Sequence, residues 1–276
     1  MSNQMEKHLI FMDIDGTLVN NEQQISEKTK SVITALQRDG HQFYVATGRK
    51  YSSAYHIAKS LSQDTQVVAS NGSVYSLNQT LHKEQLSEEA LRRIYSVTNA
   101  KQLPVFFFGE HTVFYTQQLP EYLQKNDQSR IGQKEEDFCL IDSLTKLLAV
   151  KNRIVNGIII ADDREAELAA VRAELAESRL LTVSSSHPNN IELIPLGISK
   201  ATAIQAIQQD LAVPRKRIIS FGDGLNDLEM LQASGISVAM GNAIDELKHH
   251  ADFVTDNNSE DGIANFLTNY FSTKES

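Results

Sequence analysis

Short apolar runs that end in small or polar residues recur through roughly the first eighty positions, each followed by a stretch with helical spacing. "HLIFMD" (8–13) is the first run, and "ISEKTKSVITALQRDG" (25–40) follows it. Ser26 sits where an N-cap belongs, Val32, Ile33 and Leu36 share one face, and Gly40 stands at the C-terminal stop, so the segment is predicted as a helix. "QFYVAT" (42–47), "SSAYHIAKSL" (52–61) and "QVVAS" (66–70) then read as strand, helix and strand. The same rhythm returns late in the chain. It runs through a helix at 200–211, a strand at 217–222, a helix at 225–234, the short strands "ISVAM" and "DFVT", and a closing helix from about Asp261. Alternation of this kind predicts an α/β fold with a doubly wound, mainly parallel, Rossmann-like sheet.

Between these parts the rhythm changes. An amphipathic helix at 87–102 precedes two strands in "PVFFFGEHTVFYT" (104–116), joined at Gly109. A strand at 153–162 and a helix at 164–178 precede a hairpin at 180–196 that turns at Pro188-Asn189-Asn190. A helix followed by a hairpin thus occurs twice. The expected organisation is a core in two parts, 1–83 and 197–276, with an inserted α+β domain at 84–196.

Composition narrows the function classes. The chain has 276 residues and a formal net charge of −9, which disfavours nucleic acid or an anionic membrane as partner. An anionic small substrate would then need local help from a metal or a lysine. The single cysteine, Cys139, excludes an internal disulfide and a cysteine-based zinc cluster, and is expected to be a small apolar filler. No signal-peptide pattern opens the sequence and no run reaches the ~18 apolar residues of a membrane span, so a cytoplasmic location is expected.

In open parallel sheets, ligands bind beyond the carboxyl ends of the strands, where helix N-termini converge. The residues there are Asp13, Thr47, Asn71 and Asp223, with Asn242 after a weaker strand. Asp13 and Asp15, two apart, project to one side of an extended segment. Two close carboxyls raise one pKa, which suits one as nucleophile and the other as general acid and base. Gly16 and Thr17 permit a tight turn with backbone N–H groups available to an anion, and Asp223 adds the hard oxygen that Mg²⁺ prefers.

"DIDGTLV" (13–19), "ATGR" (46–49), "SNG" (70–72), "ISKATAI" (198–204), "GDGLND" (222–227) and "MGNA" (240–243) together resemble the ordered motifs of the haloacid dehalogenase superfamily. The long insert and the SNG and GNA elements are similar to its Cof-type subgroup of capped phosphatases. The resemblance implies that Asp13 attacks phosphorus and forms an aspartyl-phosphate, while Asp15 protonates the leaving group and later activates water. It implies Mg²⁺ on the Asp13 carboxylate, the Asp15 backbone carbonyl and Asp223. Thr47, Gly48, Lys200 and Asn226 are implied phosphate contacts. Asp227 would position Lys200 or metal-bound water, or simply cap the next helix. Asn71-Gly72 matches a family element and also reads as a hairpin turn. Arg49 could meet substrate or lie on the surface, and Asn242 is a further pocket candidate. His187, Asn189 and Asn190 are candidates for substrate choice in the insert, which by resemblance is a cap.

The expected activity is Mg²⁺-dependent hydrolysis of small phosphomonoesters, such as sugar phosphates or phosphorylated cofactors. Phosphoryl transfer to a second alcohol, as in related phosphomannomutases, and a non-catalytic binding protein on the same scaffold are the competing readings.

Overall fold

The computed structural model describes residues 7–78, 80–117, 137–161, 164–185 and 189–273. The chain divides into two compact units, Met1–His82 with Ile198–Ser276, and Lys83–Gly197.

The first unit is built on an eight-stranded sheet. Its strands are β1 (Leu9–Met12), β2 (Gln42–Ala46), β3 (Gln66–Ala69), β4 (Val74–Leu77), β5 (Thr80–Lys83), β12 (Ile218–Gly222), β13 (Ile236–Ala239) and β14 (Phe253–Val254), in the order β14-β13-β12-β1-β2-β3-β4-β5. All pairings from β14 to β3 are parallel. Every side chain of β1 is buried, as a parallel strand covered by helices on both faces requires. From β1 the chain winds outward through β2 and β3, and on its return it places β12 on the other side of β1. The carboxyl ends of β1 and β12 therefore flank the point where strand order reverses, the usual ligand crevice of such sheets.

The Glu27–Arg38 helix begins at Ser26, whose side chain accepts from the Thr29 N–H, and ends before Gly40 at φ +93°. The SNG segment closes a hairpin, because β3 pairs antiparallel with β4. The predicted helix at 225–234 is instead a 3-10 turn, Leu225–Asp227, followed by a helix over Leu228–Ala233. The Asp227 side chain folds back onto backbone N–H groups just before that turn, which holds the tighter winding.

The second unit is a six-stranded sheet in the order β10-β11-β9-β6-β7-β8. Its strands are β6 (Val105–Phe108), β7 (Thr112–Tyr115), β8 (Asp137–Leu140), β9 (Asn156–Ile160), β10 (Leu181–Ser184) and β11 (Asn190–Pro195). Helices Glu88–Ala100 and Glu165–Ser178 pack on each other and share one apolar core with the sheet. Leu91, Ile94, Phe107, Phe114, Val171 and Leu193 belong to that core. β8 and the short Leu144–Ala149 helix are additions to the predicted elements. Cys139 lies on edge strand β8 and is exposed, which corrects its expected place as an apolar filler.

Candidate active site

Asp13 extends β1 by one residue, its N–H donating to the Phe221 carbonyl of β12 at 3.1 Å. Lys200 opens the Lys200–Asp210 helix, whose start is fixed by a capping box between Ser199 and Thr202. The lysine is 2% exposed, and its Nζ donates to Asp13 Oδ1 and to Asp227 Oδ1, each at 2.6 Å. Asp227 is wholly buried, and its second oxygen accepts from the N–H groups of Asp223 (3.0 Å) and Gly224 (3.2 Å). One carboxylate thus ties the lysine to the end of β12. Asp223 Oδ1 accepts from the Thr17 hydroxyl at 2.8 Å, which links the two strand ends through side chains.

Three carboxyls cluster here, and two of them bond one ammonium. Burial pushes Asp13 up to about 8, against the attraction of Lys200 and with the repulsion of Asp227 and Asp223. Burial likewise lifts Asp223 to about 6, although the Thr17 hydrogen bond opposes it. For Lys200, burial disfavours the ammonium, but the charges of Asp13 and Asp227 outweigh it and hold the group above its ordinary value. The lysine is therefore a fixed cation among carboxyls that resist ionising together.

These carboxyls fit a hard divalent cation. Oxygens of Asp13, Asp223 and Asp227 lie within 4.8 Å of one another. Asp227 already has one oxygen on Lys200 and the other on two backbone N–H groups, so the fit rests on Asp13 and Asp223. Gly16 makes room for this pair. Its φ is +76°, and a Cβ at that position would lie 2.2 Å from Asp223 Oδ2.

The loop after β1 is held from outside. Asn242 donates to the Gly16 carbonyl at 2.7 Å and accepts from the Asn258 N–H at 2.9 Å, while Asn258 donates to the Val19 carbonyl at 2.8 Å. Asn242 is thus placed to brace the loop, and Asn258 is a second brace for which the sequence offers no motif. Asp15 is exposed, and Arg49 grips its carboxylate with two hydrogen bonds, one from Nε to Oδ2 at 2.7 Å and one from Nη2 to Oδ1. Gln23 adds a third at 3.3 Å. Burial acts to raise Asp15, but Arg49 and then Gln23 outweigh it and hold the carboxyl below its ordinary value. Of the two readings of Arg49, the structure gives it an acidic partner at the site.

Thr47 is buried at the end of β2, and its hydroxyl accepts from the Arg49 N–H at 3.1 Å. Its carbonyl accepts from the Asn71 N–H at 3.0 Å. Gly48 is half-buried in the same turn. Asn71 takes a left-handed conformation (φ 52°, ψ 38°), and Gly72 lies so close to the Ser199 carbonyl that a Cβ would be 2.1 Å from it. The SNG turn is thereby packed against the N-cap of the helix that carries Lys200. Asn226 is half-buried beside Gly224.

The candidates in the insert belong to the second unit. Asn190 is buried at the start of β11, where its side chain accepts from the Ser185 hydroxyl at 3.3 Å, and the Asn189 carbonyl accepts from the Ala161 N–H at 3.1 Å. His187 lies outside the described residues.

Among the described residues no helix is long and apolar enough to cross a membrane. A family model for haloacid dehalogenase-like hydrolases matches residues 10–267. The Bacillus subtilis protein YkrA is 33% identical over 261 residues, covering 94% of this chain and 96% of that one. YitU of the same organism, a 5-amino-6-(5-phospho-D-ribitylamino)uracil phosphatase, is 30% identical over 275 residues, covering 96% of this chain and 98% of its own. A solved haloacid dehalogenase-like hydrolase from Bacteroides thetaiotaomicron superposes with a TM-score of 0.81 at 26% identity, over 96% of this chain and 100% of the other. With motifs, sheet order and the match along most of its length in agreement, the chain belongs to the haloacid dehalogenase-like hydrolases and is a phosphatase of that family.

Proposed function

We propose that the protein hydrolyses small-molecule phosphomonoesters in the presence of Mg²⁺, through a phosphoryl group carried transiently on Asp13. The observation that carries this reading is the buried Lys200 ammonium, shared between Asp13 and Asp227 at 2.6 Å each, with the Asp223 carboxyl beside them. An Asp13 oxygen attacks phosphorus as the bond to the leaving oxygen breaks, and Asp15 gives that oxygen its proton. Asp15 then takes a proton from the water that attacks the same phosphorus, the bond to Asp13 breaks, and inorganic phosphate leaves.

Lys200 lowers the repulsion between the carboxylate and the incoming phosphate. Thr47, Gly48 and Asn226 are assigned to the phosphoryl oxygens, with Asn71 and Gly72 shaping the turn beside them. Asp227 is assigned to positioning Lys200, because both of its oxygens are already engaged. Asp13, Asp223 and the Asp15 backbone carbonyl are the proposed ligands of Mg²⁺, which when bound neutralises charge on the transferring group.

The Lys83–Gly197 unit is proposed as the cap that selects the leaving group, on the ground that it interrupts the core between β5 and the Lys200 helix. Asn189, Asn190 and His187 remain its specificity candidates. The substrate named for YitU, a phosphorylated ribityl chain on a pyrimidine, makes polyol and sugar phosphates the first compounds to try.

Purified protein with Mg²⁺ is expected to release inorganic phosphate from such compounds and from p-nitrophenyl phosphate without an added acceptor. Asp13→Asn is expected to abolish this while the fold is retained. Phosphate release that required a second alcohol would favour a phosphotransferase instead, and substantial activity in Asp13→Asn would remove the nucleophile assignment.

A further inference from the structure

Gln23 stands outside every motif, yet its side chain reaches the site. The segment Asn20–Gln24 is a closed turn. Asn20 Oδ1 accepts from the N–H groups of Glu22 (3.0 Å) and Gln24 (2.9 Å), the Asn20 N–H donates to the Gln24 carbonyl at 3.0 Å, and the Gln23 N–H donates to the Asn20 carbonyl at 3.0 Å. Gln23 is held there at φ 60°, a left-handed conformation that glutamine seldom adopts. Strain of this kind persists where surrounding contacts impose it, and it is concentrated at functional positions. The turn aims the Gln23 amide at Asp15 and Arg49. Its Nε2 donates to Asp15 Oδ1 at 3.3 Å, and its Oε1 accepts from Arg49 Nη2, which also bonds Asp15.

We infer that Gln23 is a positioning residue that orients the Asp15 carboxyl for both of its proton transfers. The inference rests on the role given to Asp15 in the proposed function and deepens it. A guanidinium is a charged donor, so Arg49 holds Asp15 most strongly as a carboxylate and works against its protonation. A primary amide carries a donor and an acceptor on one planar group. Gln23 places the acceptor on Arg49 and the donor on Asp15, and as an uncharged donor it can stay on an Asp15 oxygen whether the carboxyl is ionised or protonated. It is the partner suited to a group that must be an acid when the leaving oxygen departs and a base when water attacks. Arg49 is anchored independently, by its N–H on the Thr47 hydroxyl and its carbonyl on the Ser70 N–H, so Gln23 and Arg49 reach the carboxyl from separate segments and meet at Asp15 Oδ1.

The test compares leaving groups, because proton donation matters most when the departing oxygen is strongly basic. Gln23→Gly removes the amide and fits the left-handed backbone, so the fold and Tm are expected to be kept. For this variant kcat/KM, which reports the steps up to leaving-group departure, is expected to fall on the order of 30-fold with an alkyl phosphate and about 3-fold with p-nitrophenyl phosphate. Gln23→Asn, also at ease in that backbone but one methylene short, serves as the second variant and is expected to show the same bias. Equal losses on both substrates, or no loss, would overturn the inference.

Asp15→Asn run in parallel separates the two readings. If it shows the bias and the Gln23 variants do not, the role of Gln23 is wrong and that of Asp15 stands. If Asp15→Asn loses both substrates equally, the acid assignment fails and the inference fails with it.

Discussion

Lys200 owes its place to two carboxylates, and removing one of them leaves the buried ammonium and two backbone N–H groups under-satisfied. Asp227→Ala is therefore expected to cost about 3–5 kcal/mol in urea denaturation and to lower kcat/KM as Lys200 loses its anchor. An unchanged midpoint would mean that the lysine is held by Asp13 alone. At this scale the sequence was most legible where a residue type alone implies chemistry. Asp13 and Asp223 are expected at strand ends and Lys200 at a helix start, and the structure places them there, whereas Asp15, expected beside Asp13 on one side of an extended segment, lies exposed in the turn after β1. What the sequence left open was set by where side chains turn. Asp227 reads equally well as a partner of Lys200 or as a cap, and the structure gives it both, one oxygen on the lysine and the other on the N–H groups of Asp223 and Gly224 at the start of the next turn. Arg49 reads equally as a substrate contact or as surface until it is found on Asp15, and Gln23 gives no signal because its place depends on a left-handed turn.

Among the elements, the turn Ser70–Gly72 and the Lys200–Asp210 helix depend on each other, since Gly72 approaches the N-cap Ser199 closely. Gly72→Ala places a Cβ 2.1 Å from the Ser199 carbonyl at a residue with φ +96°. It is expected to destabilise the fold by about 2 kcal/mol or more, and to lower kcat beyond what partial unfolding explains, because the start of the Lys200 helix must shift. Thermal denaturation alongside kcat decides this; a stable, fully active variant would show that the close approach carries no function. Strands with largely apolar, fully buried runs, such as Leu9–Met12 and Ile218–Gly222, were readable because burial on both faces leaves little ambiguity. Thr80–Lys83, largely exposed at the sheet edge, and Asp137–Leu140, at the other sheet's edge, lack such a run, and neither was anticipated.

For the whole molecule, the acidic balance of −9 leaves the site dependent on local cations, while burial of its carboxyls sets a pH dependence. Asp223 and Asp13 are lifted from 3.8 to about 6 and about 8, so between these limits the folded protein binds protons that the unfolded chain has lost. Their contribution to stability is complete below about pH 4 and is lost as pH rises through the two folded values. A divalent cation favours the ionised forms and reverses the trend. In a chelator, Tm is thus expected to fall between about pH 5.5 and about pH 8, and Mg²⁺ is expected to raise Tm more at the higher pH. Equal Mg²⁺ shifts at both, or an unaltered trend in Asp223→Asn, would argue against these ligands. The α/β rhythm made the two-part core readable across the whole chain, because helix and strand alternation survives a long interruption; the insert's added strand and short helix fall where that rhythm gives no guide. The central claim is the phosphoryl group on Asp13, and it can be read directly. Acid-quenching the enzyme during turnover and reducing with borohydride should convert the acyl phosphate to homoserine at position 13, seen by peptide mass spectrometry. Homoserine at another aspartate, or none under conditions of rapid turnover with a measured burst of leaving group, would contradict the account.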